Sequence, residues 1–371
     1  MDCLDGMKLL DDNSVDSIVT DPPYELGFMG KKWDSTGIAY NVELWKECLR
    51  VLKPGGHLLA FGGTRTYHRM TCAIEDAGFE IRDCIQWLYG SGFPKSHDIS
   101  KAINKKLGAE RNRIKFAQSN TWREREGGMD RQATIPDNNP VTPEAKQWDG
   151  WGTALKPANE PIVVARKPLS EKTIAENVLK WGTGGINIDD CRIELNGDYK
   201  CKANGRPSLT GLADNYDPTT ANQPDNKGRF PANVILDEEA GKLLDEQSGI
   251  LKSAKVKSAK PAYEGESITK FLRGRSTPNN QYDDCGGASR FFYCAKASKK
   301  ERGEGNNHPT VKPLSLIKYL ITLVTPPGGI CLDPFEGSGT HALACKDLGF
   351  NYIGFELDKT YYNIATKRIN A

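Results

Sequence analysis

The sequence predicts an α/β fold: a Rossmann-like, doubly wound, mostly parallel sheet. Two observations predict it. Strand and helix signals alternate through residues 1–92. Near the far end, a short apolar strand, a glycine turn, a helix and a second strand follow one another from Ile330 to Phe355.

The elements follow in order. Val15 to Thr20 reads as a short buried strand. Glu43 to Leu52 is helical, and Lys53-Pro54-Gly55-Gly56 stops it. His57 to Phe61 is a strand, Arg69 to Ala77 a helix, and Ile81 to Tyr89 another strand. Pro161 to Arg166 reads as one more strand, the last of this part of the sheet. Leu314, Ile317, Ile321 and Val324 share one face of an amphipathic helix. Ile330 to Asp333 and Tyr352 to Phe355 are strands, with a helix from His341 to Leu348 between them.

Three segments carry chemistry. Asp21-Pro22-Pro23-Tyr24 stands at the carboxyl end of the first strand, the edge where open α/β sheets bind ligands. Prolines fix φ and donate no backbone hydrogen bond, so their carbonyls are free to face a ligand. An acid, a carbonyl and a ring suit an exocyclic amino group on a flat base. Asp333-Pro334-Phe335-Glu336-Gly337-Ser338-Gly339-Thr340 is a glycine turn that lets the backbone approach a ligand at a helix N-terminus. Glu356 lies seventeen residues beyond Gly339, near the spacing of an acid that grips ribose hydroxyls. His308-Pro309-Thr310-Val311-Lys312-Pro313 precedes the amphipathic helix; alone it is a proline-punctuated loop.

Together these segments resemble the S-adenosylmethionine-dependent DNA amino-methyltransferases, which methylate adenine N6 or cytosine N4. Asp-Pro-Pro-Tyr resembles their catalytic motif and Asp-Pro-Phe-x-Gly-Ser-Gly-Thr their cofactor motif. The catalytic motif comes first, as in the circularly permuted β group. The resemblance covers roughly residues 2–100 and 305–370. It implies a seven-stranded methyltransferase sheet with a large, irregular inserted target-recognition region. It assigns Asp21, Pro22, Pro23 and Tyr24 to catalysis. It assigns Asp2, Thr310, Lys312, Asp333, Phe335, Gly337, Ser338, Gly339, Thr340 and Glu356 to the cofactor. Within that set Asp333 would take the methionine amino group, Lys312 its carboxylate, Glu356 the ribose and Asp2 the adenine. No strand precedes Asp2, so that strand is expected to be shortened or the chain truncated.

Composition sets bounds. The 371 residues suffice for one large domain and a second lobe. The net charge is only +2, so nucleic-acid affinity must come from local patches. No apolar run approaches the roughly 18 residues of a membrane span. The N-terminal residues show no basic-then-apolar pattern, so no signal peptide is expected, and the ten cysteines form no Cys-x-x-Cys pair. A cytoplasmic protein with reduced, buried thiols is expected. Cys285, Cys294 and His308 fit no usual zinc spacing, and no metal is expected.

The resulting division is a catalytic half (1–92), a basic loop-rich insertion (93–160), the last strand (161–167), a target-recognition region (168–304) and a cofactor half (305–371). Lys95 to Arg131 holds ten Lys/Arg against five Asp/Glu; Leu251 to Arg275 holds seven against two. Each run is either a phosphate-tracking patch or a solvated face. Lys252, Lys255 and Lys257 are taken as DNA contacts, as are Lys31, Lys32 and Trp33 in the glycine-flanked loop after the catalytic strand. That loop reads equally as a mobile lid or an ordinary exposed loop. Glu176-Asn177-Val178 echoes the cytosine-C5 methyltransferases, but the chain has no Pro-Cys dipeptide and the echo is read as chance.

The expected activity is methyl transfer to adenine N6 in duplex DNA by base flipping, because Asp before Pro-Pro favours adenine within the family. Cytosine N4 is the runner-up, and a catalytically silent DNA-binding fold is more remote. RNA or protein-glutamine methylation is a third alternative. Double-stranded DNA is the expected partner. Dimers occur in the family, so a homodimer is admitted, and a restriction endonuclease partner is left open.

Overall fold

A computed structural model describes residues 1–27, 32–92, 96–109, 113–115, 134–136, 139–194, 228–252, 285–296 and 311–370. The chain forms two compact units, one of Met1–Gly90 with Asn159–Ala371 and one of Ser91–Ala158.

The first unit is built on one sheet. Its strands are β1 (Val15–Thr20), β2 (Leu52–Phe61), β3 (Glu80–Leu88), β4 (Asn159–Arg166), β5 (Val234–Asp237), β6 (Tyr293–Ala295), β7 (Ile330–Asp333) and β8 (Asn351–Gly354). Their order across the sheet is β6-β5-β3-β4-β2-β1-β7-β8. Only β4 runs against its neighbours; the other pairings are parallel. The sheet is thus mostly parallel, as expected, with eight strands among the described residues where seven were expected.

Two corrections follow. Pro161–Arg166 belongs to an interior strand, because β3, β5 and β6 lie beyond it. The outer two, β5 and β6, come from the region read as irregular. They span four and three residues, too short for hydrophobic alternation to declare itself. Second, β2 begins at Leu52 directly after the helix, with Lys53-Pro54-Gly55-Gly56 inside it. The β1–β2 register jumps between the pairs Val15–Leu52 and Ser17–His57, so the proline–glycine stretch forms a bulge and not a stop. Gly55 has φ 81°, and a Cβ there would lie 2.5 Å from Asn177 Nδ2. Asn177 is wholly buried and donates to the Pro54 and Thr183 carbonyls. That structural task accounts for the Glu176-Asn177-Val178 echo, with Glu176 closing a capping box on Thr173.

The helices are α1 (Cys3–Met7), α2 (Val42–Val51), α3 (Tyr67–Asp76), α4 (Ile99–Lys106), α5 (Pro143–Gln147), α6 (Ile174–Trp181), α7 (Glu238–Ser248), α8 (Leu314–Val324), α9 (Thr340–Leu348) and α10 (Lys359–Asn370). Strand β2 shows why the sheet is covered on both faces. Leu58 and Ala60 point into one apolar cluster, while Leu59 and Phe61 point into the other. The first cluster takes Met7 of α1, Leu44, Trp45 and Cys48 of α2, and Met70 and Ile74 of α3. The second takes Leu316, Ile317, Leu320 and Ile321 of α8 and Ala344 and Cys345 of α9. Asn41 caps α2 by accepting from the Glu43 amide at 3.0 Å, which leaves Leu44, Trp45, Cys48 and Val51 on the buried stripe.

Asp16 pins three strands at the opposite end of β1 from Asp21. It pairs with Lys53 at 2.6 Å and accepts from the Ile330 amide at 2.8 Å. Parallel pairing then carries the ends of β1, β7 and β8 to one edge. Ile18 stands beside Leu332, and Asp333 beside Gly354. Thr20, Asp333 and Glu356 emerge together there.

In the second unit, α4 and α5 are held by Asn104, whose side-chain oxygen accepts from the Val141 and Thr142 amides at 3.3 Å each. Thr142 caps α5, and Trp148 meets Trp151 edge-on at 5.1 Å. Residues 113–115 and 134–136 pair as a two-stranded ribbon. Among the described residues no helix is long and apolar enough to cross a membrane.

Candidate active site

The Asp21-Pro22-Pro23-Tyr24 segment leaves the end of β1 without regular structure. Asp21 keeps one carboxylate oxygen paired: Oδ2 lies 2.6 Å from Lys312 Nζ. The other, Oδ1, is buried without a hydrogen-bond partner. A buried, unpaired carboxylate oxygen costs free energy on the order of 1–3 kcal/mol.

Tyr24 is anchored at both ends. Its hydroxyl donates to Glu160 Oε2 at 2.7 Å, and its carbonyl accepts from the Thr66 hydroxyl at 2.7 Å. Burial first, then the Asp21 and Glu160 carboxylates, push its phenol well above the ordinary tyrosine range, so the hydroxyl stays a neutral donor. A small pocket lined by Pro23, Tyr24, Tyr40, Gly63, Thr66 and Met70 adjoins the ring.

The sequence reading gives Lys312 to the cofactor carboxylate. The structure instead places its ammonium between Asp21 and Glu160, at 2.6 and 3.3 Å. The physical reason is burial. Desolvation alone would lower the ammonium, but the two carboxylates overcome it and raise Lys312 above the ordinary lysine value. The ammonium also sits 5.2 Å from the Tyr24 ring centre and 4.9 Å from that of Phe61. Glu160 is absent from the sequence expectations. It precedes an apolar run, and only the antiparallel direction of β4 brings that beginning to the edge where the parallel strands end. No local signal announces a reversed strand.

The second half of the site lies beside the first. Asp333 Oδ1 accepts from the Thr20 hydroxyl at 2.6 Å and the Phe335 amide at 2.9 Å. Burial pushes its carboxyl up to about 7, with Glu336 adding to the rise and His341, Thr20 and the Phe335 amide opposing it. Glu356 Oε2 accepts from the Gly337 amide at 2.9 Å, and Oε1 accepts from the Asp358 amide at 2.7 Å. Both acids therefore close on the glycine turn.

Glu336, also missed, braces that turn. It accepts from the Ala342 amide at 3.0 Å and meets His341 Nδ1 at 3.2 Å. His341 Nε2 in turn lies 3.6 Å from Cys345 Sγ. Among the described residues, Cys331, His341 and Cys345 bring candidate metal-ligand atoms within 4.8 Å of one another, as do Asp333, Glu336 and His341.

The glycines divide their work. Gly337 has φ 57° and Gly339 has φ 83°, conformations that favour glycine. A Cβ on Gly339 would meet the Ala365 backbone at 2.9 Å, so this glycine allows the approach of α10. Arg368 of α10 donates to the Ser338 carbonyl at 2.6 Å and the Thr340 hydroxyl at 3.1 Å. Asp2 caps α1 through the Leu4 amide at 2.9 Å. The Met1 amino group donates to the Glu356 carbonyl at 2.7 Å.

Some expected residues fall elsewhere. Lys31, Lys255, Lys257, Thr310 and His308 lie outside the described residues. Lys32 and Trp33 are described only as backbone, in a 3-10 turn, and Lys252 only as strand backbone. The chain following Tyr24 is tied back by Asp34, which accepts from the Glu25 and Leu26 amides at 3.0 and 3.3 Å.

A family described as DNA methylase (N6_N4_Mtase) matches residues 15–367, nearly the whole chain. The chain belongs to that family. Type II methyltransferase M.HindIII of Haemophilus influenzae is 25% identical over 331 residues, covering 88% of this chain and 68% of that protein. Type II methyltransferase M2.DpnII of Streptococcus pneumoniae is 42% identical over 74 residues, 20% of this chain and 28% of that protein. Among solved structures, the cytosine-N4-specific PvuII DNA methyltransferase aligns at 13% identity, 99% of this chain, 84% of that chain and a TM-score of 0.46. The M1.HpyAVI–SAM complex aligns at 18% identity, 99% and 96% coverage, and a TM-score of 0.41.

As a DNA methylase of the N6-adenine/N4-cytosine class, the protein uses S-adenosylmethionine. The donor set at the edge fits that molecule in kind. Asp333 and Glu356 are two carboxylates on adjacent strand ends, suited to a cation and a diol, with half-buried Phe335 beside them.

Proposed function

We propose that this methylase transfers a methyl group to adenine N6 in duplex DNA, with Asp21 and Tyr24 as its catalytic residues. The observation that carries the reading is the buried, unpartnered Oδ1 of Asp21. An exocyclic base amine is a weak nucleophile because its lone pair is delocalised into the ring. Acceptance of its two N–H bonds by Asp21 Oδ1 and the Pro22 carbonyl favours a pyramidal, more nucleophilic nitrogen. Tyr24 stacks on the flipped base and offsets part of the unstacking cost, a few kcal/mol. The bound cofactor supplies an already activated methyl group, so the protein's contribution is positioning and electrostatics.

On the cofactor side, Asp333 takes the methionine amino group and Glu356 the ribose. Gly337, Ser338, Thr340 and Phe335 line the turn, while Asp2 and Thr310 remain proposals from the resemblance. The sheet order supports the permuted β-group reading: β7, late in the chain, pairs with β1, the first strand, and β8 follows beyond it. Asp21, where cytosine-N4 enzymes of the family favour Ser, supports adenine. We place target recognition in residues 168–304, with Lys252, Lys255 and Lys257 on phosphates and Lys31, Lys32 and Trp33 near the flipped base.

Nucleoside mass spectrometry of DNA incubated with enzyme and S-adenosylmethionine tests the base. N6-methyladenine is expected. N4-methylcytosine alone would transfer the reading to the other branch, and neither product would remove the activity.

A further inference from the structure

We propose that Glu160 is a positioning residue of the base pocket, holding the Tyr24 ring by its hydroxyl and sharing the Lys312 ammonium with Asp21. The inference rests on the reading of Asp21 and Tyr24 as the catalytic pair.

One oxygen of Glu160 does both tasks. Oε2 accepts from the Tyr24 hydroxyl at 2.7 Å and lies 3.3 Å from Lys312 Nζ. The backbone fixes its place. Glu160 stands opposite Trp87 in the β3–β4 ladder, so the carboxylate is carried by an interior strand and not by a loop. It comes from a different element than Asp21, Tyr24 and Lys312, and it ties all three together. Burying an acid at a sheet edge is expensive, and packing does not require one there.

The charge count explains what this arrangement does. Lys312 carries one positive charge between two carboxylates, and its side chain is only 9% exposed. While Glu160 holds part of the ammonium, Asp21 is not fully neutralised and its free oxygen remains a strong acceptor. Without the Glu160 charge, Lys312 belongs wholly to Asp21 and weakens it toward an incoming amine. The Tyr24 ring meanwhile loses the anchor that sets its stacking plane. Lys312 therefore serves the base pocket.

The test is a comparison of Glu160→Gln and Tyr24→Phe in the full-length enzyme. Glutamine keeps the shape and can still accept from Tyr24, but it removes the charge. Phenylalanine keeps every charge and removes the hydroxyl. Each variant should lower kcat about tenfold or more, as small misplacements at reacting atoms do. The dissociation constant for S-adenosylmethionine and KM for DNA should stay within about twofold. The double variant should lose less than the product of the two single losses, because both cut one network. Wild-type kcat in either single variant overturns the proposal. So does a fall in kcat matched by lost cofactor affinity or lost melting temperature, the signature of a merely structural acid. Failure of the unaltered enzyme to methylate DNA would count against the catalytic reading itself. Normal methylation by it, with an unaffected Glu160→Gln, counts against Glu160 alone.

Discussion

The Thr20 hydroxyl donates to the Asp333 carboxylate across 2.6 Å, although the two residues stand 313 positions apart. The bond joins the last residue of β1 to the last residue of β7. One step along the chain from Thr20 is Asp21, with its unpaired oxygen. The methylase thus keeps the expected cofactor acid and the expected catalytic acid on adjacent strand ends, which is the proximity that direct methyl transfer needs.

With Asp333 on the methionine ammonium, as proposed, cofactor binding should be sensitive to pH. Burial pushes its carboxyl up to about 7 in the free protein. The ionised form is the one that attracts the methionine ammonium. Affinity for S-adenosylmethionine should therefore fall as pH drops below about 7, by up to about tenfold per unit. Calorimetry across pH 6 to 8 measures this, with Asp333→Asn as control. The variant should bind weakly and without the pH slope. A flat profile in the unaltered enzyme would take Asp333 away from the ammonium.

His57 makes the fold itself sensitive to acid. It is buried in β2, and desolvation, then Arg166 and Arg82, lower it from 6.5 to about 4. The unfolded chain takes up this proton as pH falls through 6.5, whereas the folded chain resists until about 4. Stability is retained above 6.5 and declines across that window, by about 3 kcal/mol for this one group. In chemical denaturation, His57→Gln should show a shallower loss between pH 6.5 and 4. An identical slope would mean that the folded protein solvates His57 better than its burial implies.

The basic stretch from Lys252 to Arg275 carries a third prediction. Phosphate contacts make affinity fall with salt and carry no sequence information directly. Neutralising Lys252, Lys255 and Lys257 should weaken DNA binding and flatten its salt dependence, with the methylated site unchanged. A wild-type salt slope in the triple variant would make the run a solvated face and direct attention to Lys95–Arg131.

Much of this fold was legible because its chemistry is local. The strand from Val15 to Thr20 and the strand from Ile330 to Asp333 have the expected bounds. Their buried runs end abruptly at acids and prolines, and such punctuation needs no tertiary information. The edge strands β5 and β6 were not legible, since three or four residues carry too little pattern and depend on the neighbours they pair with. Lys53-Pro54-Gly55-Gly56 misled for a related reason. Proline and glycine normally end an element, but here the β1–β2 ladder absorbs them as a bulge. In the candidate site, Asp21 and Glu356 were singled out through motifs of short range. Glu160 was hidden because its position depends on strand direction, and the pairing of Lys312 with Asp21 and Glu160 was hidden because those partners lie 291 and 152 residues away in sequence.

In the proposed reaction Asp21 faces the target amine while the cofactor is held elsewhere. The direct measurement pairs methylation turnover with cofactor calorimetry on Asp21→Ala. Turnover should be abolished while the dissociation constant for S-adenosylmethionine stays near the wild-type value. Near-wild-type turnover in a folded Asp21→Ala protein would contradict that role, because the unpaired oxygen would then have no part in the reaction.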